Sequence, residues 1–418
     1  MQVILNADTG VDDILALAYL LASAETELLG IAASYGNVEM QTALRNTLAA
    51  LEILAPQTQI PVWAGSESPS WANGFIPDAG CACFHGANGF ANLNAQDYGS
   101  NIDTISPIIS PSLTASMAAL HYKDPKLSIG GYVPADSHAK PAVNTQTPAA
   151  EFEVITQTNS GGTHSFSEIS LQTQQNQNQD GKHGEITAPA GVTAIIEAVR
   201  KYGQNLVIAV TGPLTDIDRA LQLAPDIAGK LRVVCMGGAL MTAGNCYDAV
   251  SETNIIQDPE AAARVFASGA DVTLVGLDVT ERCLLPREKA ERWSDNAPAT
   301  GYRPGAFLTN LAAFSISANA NAAPKFSSGM PLHDPLAAAA ALNPELITTI
   351  ELPLTVQTET VACQSIRGRC VIDQGKMHHL SAPRVKVAID VNSALFVEDF
   401  AQRLEFFRNF AHQNRHSS

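Results

Sequence analysis

QVILNADTGVDDILALAYLLAS, residues 2–23, reads as a strand, a turn and a helix in immediate succession. Residues 2–7 form a short apolar run ending in polar side chains, the pattern of a buried strand. Residues 12–23 continue as an apolar stretch with helical content, and Asp12 and Asp13 sit in its first turn, where the helix dipole favours anions. Gly10 permits the tight turn between strand and helix. The same unit recurs: LLGIAASY (28–35) reads as a strand and VEMQTALRNTLAALEIL (38–54) as a helix. Further on, APAGVTAIIEAVRKYG, PLTDIDRALQLAP and DPEAAARVFASG read as helices between the strands NLVIAVTG, LRVVCMGG and DVTLVGLD. This alternation predicts an α/β fold: an open, mostly parallel, Rossmann-like sheet with helices on both faces. Ligands of such sheets sit beyond the carboxyl ends of the strands.

The pattern breaks over residues 93–186, which are rich in Ser, Thr, Gln, Asn and Pro. The run QTQQNQNQDGKHG is low-complexity and expected to be disordered, while 102–160 reads as an added hairpin or lid. Because βα alternation resumes afterwards, 93–186 is read as an insertion within a single domain spanning 1–418. Hydrophobic residues make up 46% of the chain, enough for a sizeable core. The net charge of -16 repels phosphate backbones and argues against nucleic-acid partners. No stretch approaches the roughly 18 apolar residues of a membrane span, and no basic segment followed by a long apolar run opens the chain. A cytoplasmic protein without membrane contact is therefore expected. Seven cysteines, several in apolar runs, read as reduced and packed thiols. Cys81, Cys83 and His85 lack a second ligand pair at zinc-site spacing.

Four constellations carry chemistry. Asp8, Asp12 and Asp13 bring three carboxylates within six residues, where without a counter-charge they would raise one another's pKa values. A hard divalent cation such as calcium removes that cost through oxygen ligands from Asp8 and Asp13, with Asp12 pointing elsewhere; helix capping by Asp12 or Asp13 is the plainer reading, but it accounts for only one acid. His333-Asp334-Pro335 opens an apolar helix, with Asp334 either a cap before Pro or a third acidic ligand, and His333 a candidate proton donor. Thr211-Gly212-Pro213 follows a strand, where Thr211 either turns the chain or offers a carbonyl to a cation; Thr215 or Asp216 would cap the helix that follows. Met236-Gly237-Gly238 leads to Asn245, Glu252 and Asn254, groups of the kind that hold sugar hydroxyls, and Asn37 has the same character.

Taken together these segments resemble the inosine-uridine preferring nucleoside hydrolase family. The family's opening motif has the form DxDxGxDD and appears here as NADTGVDD; YGNV, IPVWAG, HGANGF, VTGPLTD, MGG…GN…SETN…DPEAAA, VGLDVT, PLHDPLA and RGRCVID…VKVAIDV follow in family order. The resemblance implies hydrolysis of the N-glycosidic bond of ribonucleosides by a calcium-bound water. It implies Ca2+ held by Asp8, Asp13, the Thr211 carbonyl and Asp334, with Asp8 also taking a proton from that water. Asp12, Asn37, Asn245, Glu252 and Asn254 would hold the ribose hydroxyls, Met236 would pack against the ribose, and His333 would sit near the leaving base. His85 is a further candidate for reaching the substrate. A homodimer or homotetramer is implied as well.

The chain departs from the pattern at Asn6, which stands for the first Asp, at Thr9, which stands for a Pro, and at Thr253, which stands for a Phe. The segment before His333 also lacks the usual tyrosines, and Trp63 is expected to pack on the core. The departures at Asn6 and Thr253 keep a second hypothesis in view: a non-catalytic nucleoside- or ribose-binding protein that retains the calcium site. A phosphatase using the early acids is disfavoured, because no Lys or Arg closely flanks residues 8–13 or 333–334.

Overall fold

The computed structural model describes residues 1–55, 58–106, 188–294, 301–359 and 366–408. The chain divides into two compact units, Met1–Ser137 with Ala188–Ser418, and His138–Thr187; the second lies outside the described residues. The low-complexity run and all but the start of the expected hairpin or lid also lie outside them.

The first unit alternates as its sequence pattern requires. In order come β1 (Gln2–Ala7), α1 (Val11–Ala22), β2 (Glu27–Ala33), α2 (Met40–Leu54), β3 (Val62–Ala64), α3 (Ala79–His85), α4 (Ala190–Tyr202), β4 (Leu206–Val210), α5 (Thr215–Leu223) and β5 (Arg232–Met236). There follow α6 (Thr253–Gln257), α7 (Pro259–Ala267), β6 (Asp271–Val275), β7 (Leu284–Leu285), α8 (Pro304–Ala322), β8 (Met330–Pro331) and α9 (His333–Leu342). The chain closes with β9 (Ile347–Leu352), β10 (Leu354–Val356), β11 (Cys370–Ile372), β12 (Val385–Val391) and α10 (Ser393–Leu404).

Eight strands form one sheet in the order β3-β2-β1-β4-β5-β6-β12-β9. Every neighbouring pair is parallel except β12 with β9, whose antiparallel pairing closes one edge. The expected open, mostly parallel sheet is what forms. Successive strand residues serve opposite faces, as a pleat demands. Val3, Leu5 and Ala7 join a core with α1, α2, α8, α9 and α10, whereas Ile4 joins the core against α4, α5 and α7. Trp63 packs at the margin of the second core, as expected.

Element ends move for local reasons. The second strand stops at Ala33 because Tyr35 N turns away to bond Ser66 O at 3.1 Å. The second helix waits until Met40 because Val38 O accepts from Gly36 N at 3.0 Å and Glu39 stays extended. Among the described residues no helix is long and apolar enough to cross a membrane.

Candidate active site

The carboxyl ends of β1, β4 and β5 meet the start of α9, and the acidic residues gather there. Asp8, Asp13 and Asp334 are buried, and the Asp12 side chain is only 14% exposed. Ligand atoms of Asp12, Asp13 and Asp334 all lie within 4.8 Å of one another. Asp8 stands beside this set, with Oδ2 accepting from Asn37 N at 2.6 Å and Oδ1 from Asn37 Nδ2 at 3.2 Å. Gly36 makes this approach possible, since a Cβ there would stand 1.9 Å from Asp8 Oδ2.

Neither Asp12 nor Asp13 is the N-cap of α1; Gly10 holds that position. Asp13 instead turns back, with Oδ2 accepting from Gly10 N at 2.8 Å and Asn37 Nδ2 at 3.1 Å, and Oδ1 accepting from Thr211 Oγ1 at 2.6 Å. Asp334 is not a cap either, because α9 begins one residue earlier at His333. Thr215 and Asp216 do not cap α5, whose N-cap is Leu214, because both side chains bond inward to other loops.

The electrostatics follow from crowding. Burial, then the charges of Asp12, Asp13 and Asp8, push Asp334 well above the usual carboxylate range. Burial and the charge of Asp13 do the same for Asp8. Burial raises Asp13, with Asp12 adding to it, and raises Asp12 to about 6. Asp12 Oδ1 is buried with no hydrogen-bond partner among the described residues. Clustered acids with an orphaned oxygen supply the hard oxygen donors that a divalent cation such as calcium takes.

The remaining candidates are held mostly by hydrogen bonds to the backbone. Asn254 Nδ2 donates to Thr211 O at 2.8 Å and Met236 O at 3.2 Å, tying the ends of β4 and β5 together. Glu252 caps α6: its Oε2 accepts from Gly238 N at 2.9 Å and its Oε1 from Asn254 N at 3.0 Å, and burial raises its pKa. Asn245 lies on the exposed loop before it, accepting from Thr253 N at 3.1 Å. Met236 is buried at the end of β5.

His85 Nδ1 accepts from Val11 N at 3.2 Å, which leaves the ring proton on Nε2. Asp12 Oδ1 is 3.6 Å from the same nitrogen. This is no ion pair: burial lowers His85 to about 4, and a proton on Nδ1 would displace the Val11 amide. His333 Nδ1 shares a 2.7 Å hydrogen bond with Thr280 Oγ1, and burial lowers this ring to about 4 as well. The expected proton donor is therefore uncharged at neutral pH.

Sequence reasoning missed several supports. Asn46 Nδ2, on α2, donates to Asn88 O at 2.9 Å and Thr9 O at 3.3 Å, linking the loop after His85 to the acidic turn. Thr47 Oγ1 meets Thr9 Oγ1 at 2.7 Å. Thr280 lay within the quoted VGLDVT without a role.

Fold and site together define a parallel-sheet α/β protein whose oxygen-rich pocket at the strand ends suits a hard cation beside hydroxyl-binding groups. The chain belongs to the inosine-uridine preferring nucleoside hydrolase family, whose model matches residues 3–398. It is 28% identical over 410 residues to the pyrimidine-specific ribonucleoside hydrolase RihA of Escherichia coli O127:H6, covering 97% of this chain and 99% of that protein. Among solved structures it is similar to a purine-preferring ribonucleoside hydrolase from Gardnerella vaginalis, with TM-score 0.68, 30% identity, and 98% and 99% of the two chains covered. A plant nucleoside hydrolase shares the fold at TM-score 0.66 and 23% identity, over 97% of this chain and 98% of that one.

Proposed function

We propose that this chain hydrolyses the N-glycosidic bond of ribonucleosides, releasing ribose and a free nucleobase. One observation carries the reading: Asp12, Asp13 and Asp334 bring ligand atoms within 4.8 Å of one another at the strand ends, with Asp8 buried beside them. Asp8, Asp13, Asp334 and the Thr211 carbonyl would hold a calcium ion. When bound, calcium would lower the pKa of a water and offset the carboxylates' mutual repulsion.

Asp8 is the base that takes a proton from the attacking water. The bond from C1′ to the base nitrogen breaks as the bond from C1′ to the water oxygen forms. Carboxylates around the ring stabilise the positive charge that develops on the sugar. Asp12, with its unpartnered oxygen, and Asn37, Asn245, Glu252 and Asn254 bind the ribose hydroxyls, while Met236 packs against the ring. The departing base acquires a proton. His333 is the proposed source: neutral at rest, it takes up a proton equivalent to the one Asp8 removes from the water and passes it to the base, so the ring is neutral before and after. His85, fixed by Val11 N, presents Nε2–H as a further donor toward substrate.

The named relatives include a pyrimidine-specific and a purine-preferring enzyme. That supports placing the shared chemistry on the ribose, which these residues are proposed to bind. The proposal includes residues 93–186 as an insertion within one domain, a homodimer or homotetramer, and a cytoplasmic setting. Chromatographic detection of free base from inosine, uridine, guanosine, cytidine and adenosine, with and without a calcium chelator, tests the reaction. Release that stops with chelator and returns with calcium is expected. Nucleoside binding without base release would instead establish the non-catalytic binding protein.

A further inference from the structure

Asn6 stands where the usual opening motif has an acid, and its side chain is 1% exposed. Its Nδ2 donates to Asp216 Oδ2 at 2.9 Å and to Ala32 O at 3.1 Å. Its Oδ1 is buried with no hydrogen-bond partner among the described residues. Reversing the amide would set an oxygen against two acceptors, so the orientation is determined.

Asp216, fully buried on the first turn of α5, has Oδ1 accepting from Ser66 N at 2.8 Å and from Ser66 Oγ. Gly65 provides the space, since a Cβ there would stand 2.3 Å from Asp216 Oδ2. One carboxylate thus gathers the end of β1 and the segment after β3 onto the helix that follows the Thr211 turn. Asp8 lies two residues beyond Asn6.

We propose that Asn6 and Asp216 form a buried amide–acid pair that positions Asp8 and the Thr211 turn. The proposal rests on the reading of the site given above. Neither side chain touches substrate; both are positioning residues. Between these two side chains an acid and an amide pair in either order, although only an amide at position 6 also donates to Ala32 O. Two acids at this separation repel, and two amides leave a donor facing a donor.

The test is a complete cycle of Asn6→Asp, Asp216→Asn and the double variant. Its readouts are kcat per folded molecule on a ribonucleoside cleaved by the wild type, the calcium concentration for half-maximal activity, and the thermal midpoint in chelator. Each single variant should lower kcat by about tenfold or more and raise the half-maximal calcium concentration. The double variant should recover most of both, short of the wild type because residue 6 then lacks its bond to Ala32 O. A purely structural role would lower the midpoint while leaving kcat per folded molecule unchanged. Should Asn6→Asp fail to fold, a folded and active double variant supports the pair and an unfolded one overturns it. Singles with unchanged kcat, or a double variant no better than the product of the singles, overturn it too. A wild type that releases no base would instead refute the reading of the site and with it the positioning role, while the midpoint cycle would still judge whether the two side chains are paired.

Discussion

The carboxylate pocket should make the cation-free protein lose stability as pH rises, and calcium should reverse that loss. Asp12 titrates near 3.8 when unfolded and is raised to about 6 by burial in the fold. Between those values the folded state holds a proton that the unfolded chain has released. The group's contribution is therefore complete below the unfolded pKa and is lost as pH rises through the folded one. At 1.36 kcal/mol per unit, Asp12 alone accounts for about 3 kcal/mol. This is an upper figure, because its side chain is 14% exposed. Asp8, Asp13 and Asp334 are shifted in the same direction. Calcium at about 100 times its Kd adds about 2.7 kcal/mol, or about 3 °C in a chain of this size. At about pH 5 the raised acids hold on to protons, and because Asp8, Asp13 and Asp334 must release them to take calcium, the gain is smaller there. Scanning calorimetry in chelator and in calcium, at about pH 5 and about pH 7.5, reads all four midpoints. The expected result is a chelated midpoint that falls with pH and a calcium increment that grows with it. An increment larger at the lower pH, or no effect of chelator at the higher one, would refute the reasoning.

Other perturbations follow from the same geometry. Asp8→Asn should abolish base release, by about 10³-fold or more, while circular dichroism stays native; retention of activity would remove Asp8 as the base. Gly36→Ala would drive a Cβ into Asp8 Oδ2, so kcat should drop by about 10²-fold, whereas normal kinetics would show that Asp8 need not hold its observed place. Nucleosides lacking the 2′-hydroxyl should be cleaved about 10⁴-fold more slowly, because buried polar groups would lose their partners; comparable rates for both sugars would contradict the assigned ribose contacts.

Much of the framework was legible because it is local. The strand-turn-helix of residues 2–23 shows in apolar spacing and one glycine, and the parallel sheet follows from its repetition. Convergence of Asp334 on the early acids was legible only through the ordered family motifs, since no spacing joins residues so far apart. The details that escaped are pairwise and distant. Nothing near Asn6 announces Asp216, 210 residues away, and nothing in α2 marks Asn46 as a brace for Thr9. Asp12 and Asp13 looked like caps because acids favour a helix's first turn; that neither is the N-cap depends on Gly10 holding that position and on where Thr211 and Asn37 draw Asp13. The uncharged state of His333 depends on burial, and its orientation on Thr280, neither of which a motif carries.

Diffraction from crystals grown in calcium with a slowly cleaved ribonucleoside tests the central claim most directly. The account predicts a single ion between Asp8, Asp13, Asp334 and the Thr211 carbonyl at about 2.3–2.6 Å, with ribose beside it. An ordered pocket with sugar bound and no ion among those oxygens would contradict it.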